Sequence, residues 1–207
     1  RRKLWRDLAA AGALLVLPLL IFAPVVLGDK TLLPADALYT FAPYSAAAES
    51  LGATDVQNGL VADLILQNYP WKRFLTTALH TRELPLWDPY LFAGHPFLAN
   101  GQHSALYPLT WIFFMLPLPR AFGLFIALQL GLAGVSMYIL ARTLGANRLG
   151  ALLASVTFEL SGFLVASVVH PMIVAAASWL PLLLALADLT VRRARFLRQE
   201  RAMLPWA

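Results

Sequence analysis

Asp63 and Gln67 stand four residues apart in the stretch Asp55 to Tyr69. Val56, Leu60, Leu64 and Ile65 fall near one face of a helix over that stretch, which makes Asp63 and Gln67 neighbours on its surface. A carboxylate so placed can serve as a general base; the plainer alternative is an acid that only meets water. Asp36 is the second acid of interest, among Pro34, Tyr39 and Pro43, and Asp55 reads as the N-cap of the helix carrying Asp63. Pro70 ends or kinks that helix. Trp71 to His80 then makes a second, amphipathic one, with Trp71, Phe74, Leu75 and Leu79 on its apolar side. Lys72 and Arg73 on it can pair with phosphate or face lipid headgroups.

The next stretch, Leu84 to Pro108, is broken every few residues by Pro85, Pro89, Gly94, Pro96, Gly101 and Pro108. Between the breaks lie Trp87, Tyr90, Phe92, Phe97 and Tyr107, with Asp88, His95, Asn100, Gln102 and His103 among them. A flexible linker is poor in aromatics, so this is expected to be an ordered loop whose Trp87, Tyr90, Phe92 and Phe97 pack on Trp71 and Phe74 or on the outer ends of the spans. Asp88 before Pro89 favours a turn. His95 and His103, eight apart, would need Asp63 or Asp88 to hold a divalent metal, and no compact H-x-x-x-H spacing is present. Hydrogen bonding within the loop, or contact with a phosphate, is the simpler reading.

These residues need something to hold them, and the composition says what. The chain has 207 residues, 59% hydrophobic and 13% charged, and a mean hydropathy of +0.67. Soluble domains are about a quarter charged, so this is an integral membrane protein. With no Cys, neither disulfides nor thiol chemistry is available. Apolar runs at about 8–27, 118–140, 148–169 and 172–189 are each near the roughly 20 residues that cross a bilayer. The first is longer than a usual signal core and lacks a clear A-x-A site, which favours an uncleaved span. Pro18 and Pro24 are expected to kink it. The fold class is therefore all-α: a multi-spanning helical bundle with a long outer loop, about 28–117, carrying short interfacial helices. Short connections between the later spans imply antiparallel neighbours.

Charge orients the bundle. Eleven of the 16 Lys and Arg lie in three clusters: the N-terminus to Arg6, the loop from Ala141 to Arg148, and the tail from Arg192 to Arg201. All three fall on one side of a four-span chain, which the positive-inside rule makes cytoplasmic. A pI near 9.9 is explained by this clustering and implies no nucleic-acid partner. The 28–117 segment, with seven of the 11 acids and three of the four His, is then outside. Within the spans, Glu159 is a costly mid-span carboxyl that by default is functional or bundle-facing; its protonated form would bond Ser161 or a neighbouring helix. Asp188 and Arg192, four apart, are expected to pair.

The pieces Asp63 to Trp71, Leu84 to Tyr90, Gly94 to Asn100 and Tyr107-Pro108, in this order and spacing, resemble the first outer loop of the YfhO family of bacterial membrane proteins. That family is similar to the type C glycosyltransferases, and the resemblance implies a bacterial inner-membrane protein with more spans than these four, of which this is an N-terminal part. It implies sugar transfer from a polyprenyl-phosphate donor to an envelope glycopolymer or lipid acceptor outside the cytoplasm. Asp63 would then be the catalytic base and Asp36 the runner-up. Gln67, Tyr69, Trp87, Asp88, His95, Asn100, Gln102 and His103 would contact substrate, and Lys72 and Arg73 the donor phosphate. A base taking the acceptor's proton as its hydroxyl attacks the anomeric carbon would invert that carbon. The alternative class is a transporter, flippase or accessory subunit of envelope assembly. A transporter should gather polar groups near mid-span, whereas here they gather outside.

Overall fold

The computed structural model describes residues 2–53 and 59–203. Helix dominates them, and four stretches are long and apolar enough to cross a membrane: Leu4–Ile21, Leu118–Thr143, Arg148–Val169 and Pro171–Phe196. The protein is an all-α, multi-span membrane protein. Its contacts divide it into two units.

The first unit comprises residues 1–21, 128–166 and 173–207. Helix α1 is Arg2–Ile21 and contains Pro18. It stops at Phe22, and Pro24 opens the separate short helix α2, Ala23–Val26. Pro24 thus breaks the run that the sequence carries on to residue 27, because it lacks the N–H a continuing helix would need. From later in the chain come most of α5, Leu118–Thr143, then α6, Arg148–Glu159, α7, Gly162–Ala166, and most of α8, Pro171–Met203. Ala10 and Leu14 of α1 pack with Tyr138 and Ala141 of α5 and Ala151 of α6. Small residues bring these helices close, as packing between membrane helices favours. Leu8, Leu20, Leu153, Leu180 and Leu183 stay exposed, the pattern of spans whose outer faces meet lipid or further helices.

One end of this unit is tied by charge. Arg148 donates from Nε and Nη2 to the two carboxyl oxygens of Asp7, at 2.9 and 3.0 Å, and Tyr138 donates to Asp7 at 2.7 Å. Arg142 stands 3.7 Å away. The start of α1 and the α5–α6 connection are therefore at the same end, as two of the three basic clusters require. Asp188 and Arg192 form their pair at 2.8 Å on α8.

The second unit comprises residues 22–127 and 167–172. A π turn, Leu64–Asn68, runs directly into α3, Tyr69–His80. This replaces the regular helix expected up to Tyr69. An α-helix here would need an N–H from Pro70 for the carbonyl of Leu66, and the proline ring would strike that carbonyl. The wider turn avoids both faults, and the Tyr69 N–H reaches back five residues to Leu64. Val56 and Asp55, the expected N-cap, lie outside the described residues. The strands β1, Trp87–Asp88, and β2, His95–Pro96, make a minimal antiparallel hairpin. After it come α4, Ile112–Met115, and the first ten residues of α5. Trp71, Leu75 and Phe97 form the core, with Phe74, Leu91, Ala105, Phe114 and Met172 against it.

Candidate functional site

Helix α3 has two working faces. Trp71, Lys72, Leu75 and Ala78 are buried. Pro70, Arg73, Phe74, Thr77 and Thr81 recur at helical spacing on the other side, where with Glu83 to Pro85 and Trp87 to Leu91 they line a cleft of 670 Å³. That volume suits a small organic ligand. Three expected site residues meet there: Arg73, Trp87 and Asp88. Asp88 is buried, and its Oδ1 accepts the Tyr90 N–H at 2.9 Å, the turn its Pro neighbour implied. Trp87 is 55% exposed but not loose. Its ring lies over Gly94, whose φ of +108° suits glycine; a Cβ there would come within 2.5 Å of the indole nitrogen. His95 faces Asp88 across the hairpin, and its Nδ1 is buried with no partner.

The aromatic loop is ordered, but only in part by the expected packing. Phe97 is fully buried and meets Phe74 edge-on at 4.8 Å. Tyr90 and Phe92 are 83% and 94% exposed, although Tyr90 still touches Phe74 at 6.2 Å. Phe92 and Ala93 both have positive φ, and the tight reversal they form turns Phe92 outward.

Lys72 does not face headgroups. Its ammonium is buried, donates to the His103 carbonyl at 2.7 Å and to Thr110 Oγ1 at 3.4 Å, and sits 4.7 Å over the Phe113 ring. Thr110 in turn donates to the Ser104 carbonyl at 2.6 Å. Lys72 is thus a brace between α3 and the loop, whereas its neighbour Arg73 is exposed. His103 is a second brace. Its Nδ1 accepts the Ala105 N–H at 3.0 Å, so Nε2 carries the proton and donates to the Phe97 carbonyl at 2.6 Å. Burial holds its pKa below the usual histidine range, against the pull of the Phe97 carbonyl. With both nitrogens engaged and the ring stacked on Phe97 at 4.0 Å, His103 has no atom left for substrate or metal. Among the described residues no three acids or histidines gather as a metal site.

The remaining candidates are spread out. Asn100 caps a turn by accepting the Gln102 N–H at 3.1 Å, and Gln102 is exposed. Tyr69 stacks on Phe122. Asp63 and Gln67 are both exposed at the π turn, and Asp63 makes no capping bond. The turn Ala35–Thr40, which carries Asp36, packs against that π turn. The two candidate acids therefore sit on adjoining elements. The sequence reading missed Thr77, Thr81 and Glu83 as cleft residues. The recurrence of Arg73, Thr77 and Thr81 every fourth residue was the available signal.

Burial pushes the Lys72 ammonium down from 10.5 to about 7. The unfolded chain then binds more protons than the folded one between pH 7 and 10.5. Stability should rise with pH through that window and be lowest below it. Thermal unfolding of the purified protein checks this. Lys72→Met should flatten the slope, and an equal slope in both proteins would remove the assignment.

The family described as bacterial membrane protein YfhO matches the chain over residues 44–197. No curated protein and no solved structure matches it.

Proposed function

The chain belongs to the YfhO family of bacterial membrane proteins, and from that premise we propose that it is part of a membrane glycosyltransferase using a polyprenyl-phosphate-linked sugar. The acceptor is a glycopolymer or lipid of the cell envelope, reached outside the cytoplasm. The observation that carries this reading is the meeting of the Asp36 turn with the Asp63 turn in an ordered segment outside the candidate spans. Asp63 takes the proton of the attacking hydroxyl, the new glycosidic bond forms at the anomeric carbon as its bond to the donor phosphate breaks, and the exposed Arg73 meets the departing polyprenyl phosphate. The cleft beside Arg73, walled by Trp87 and Asp88, gives a sugar an aromatic surface and polar groups. The similarity of this family to type C glycosyltransferases supports the same chemistry.

Reconstituted full-length protein, given polyprenyl-phosphate carrying a labelled sugar and an envelope extract, should move label from lipid to acceptor. Label that stays on the lipid, while the lipid itself changes leaflet, would replace this reading with a flippase. Buried Gln129, Ser136, Ser155 and Ser178 inside the spans are the feature that favours such a transporter.

The proposed orientation in the inner membrane is with residues 28–117 outside and the basic clusters in the cytoplasm. The chain has no Cys, so single cysteines report cleanly. Cys at Ser45 or Ser104 should react with impermeant reagents in whole spheroplasts; reaction only with permeant ones would reverse the orientation.

A further inference from the structure

The candidate span Arg148–Val169 is not one helix. α6 ends at Glu159 and α7 begins at Gly162, so the break falls at mid-span. A helix that stops there leaves carbonyls without helical partners, and its negative end points into the gap. Such breaks at membrane depth are tolerated where they are buried in protein or line a polar cavity. The last residue before the break is Glu159. It has 0% exposure, and neither carboxyl oxygen has a hydrogen-bond partner. Ser161, its expected partner, accepts the Leu164 N–H at 3.4 Å instead. On the other side lies Gly134 of α5, where a Cβ would overlap Glu159 Oε2.

The charges on the surrounding helices are committed elsewhere. Asp7 of α1 binds Arg142 of α5 and Arg148 of α6, and Asp188 and Arg192 of α8 bind each other. Arg6, near the start of α1, and Arg193 and Arg195, beyond that pair on α8, stand towards helix ends. Among the described residues no ion pair reaches Glu159. An isolated carboxylate in so apolar a place is far costlier than a neutral acid, and such groups neutralise themselves instead. What Glu159 lacks is a cation, and the smallest that its site against Gly134 can take is a proton.

We propose that Glu159, at the break between α6 and α7, is a proton-binding site within the membrane. One proton binds and one negative charge is neutralised. This site is separate from sugar transfer and stands whether or not that reading holds. Full-length protein in membrane vesicles is treated with a membrane-soluble carbodiimide, which attacks protonated carboxyls, over a range of pH. The Glu159 peptide should be labelled. Its label should fall about tenfold per pH unit above the midpoint, as the protonated fraction of one group does. Glu159→Gln should abolish the label and the carboxylic-acid band that appears in infrared difference spectra on acidification. The wild-type pH profile needs no variant to fold. No label at any pH, or equal label at every pH, would overturn the proposal. Protection by sodium ions at fixed pH would give the site to a metal cation instead.

Discussion

Full-length protein carrying Asp63→Asn is expected to transfer sugar about 10²–10⁴ times more slowly than wild type, the usual worth of general-base help. Expression and thermal stability should not change, for a local reason. Asp63 is exposed at the π turn and makes no capping bond, so no folding contact is lost when its charge is removed. Asn keeps the side chain's shape and removes only its ability to take a proton. Asp36→Asn is the matched control, because its turn packs against the same π turn and would feel the same general disturbance. It should be milder. A dead Asp36→Asn beside a fully active Asp63→Asn would move the base to Asp36. Full activity in both would leave the reaction without a carboxylate from this pair.

What the sequence revealed of these elements follows the range of the forces that set them. The spans depend on length and apolarity alone, and both can be counted along the chain. The (i, i+4) pair of Asp188 with Arg192 is equally local. Lys72 and Arg73 show the limit. Adjacent on one helix, they carry the same charge and the same local polarity, yet one is buried and the other lines a cleft. The difference is made by His103 and Thr110, which lie 31 and 38 residues further on and supply the acceptors that let an ammonium leave water. Nothing near Lys72 in the sequence carries that information.

Proline was read correctly as a breaker but not in its consequences. Pro70 does not end its helix; it forces a π turn before it, which changes where Asp63 and Gln67 stand. Pro24 does the reverse and divides a run that composition alone carries through. The break after Glu159 had only Gly162 as a sign, and a single glycine in a membrane helix is common. The aromatic loop was legible as ordered because Pro and aromatics together resist disorder. Which rings went inward was not: Phe97 is enclosed by residues distant in sequence, while Phe92 is turned out by the backbone of its own tight reversal.

Gly134→Ala should destabilise the protein, although alanine is ordinarily the better helix former by about 1 kcal/mol. The sign decides the matter. At Gly12 of α1 nothing lies within 4 Å of where a Cβ would be, so Gly12→Ala should gain part of that amount. At Gly134 the new methyl would overlap Oε2 of Glu159, which is fully buried and has little room to retreat. Overpacking of this kind costs roughly 1–3 kcal/mol, enough to reverse the propensity gain. The partner can be removed to prove the cause. Glu159→Ala opens space against α5, so the double substitution should be more stable than the sum of the two single effects predicts. A coupling of about 0.5–3 kcal/mol is usual for residues in contact. Unfolding of the four proteins in detergent measures it. A stable Gly134→Ala, or a double variant whose effects simply add, would mean that Glu159 does not fill the notch opposite Gly134.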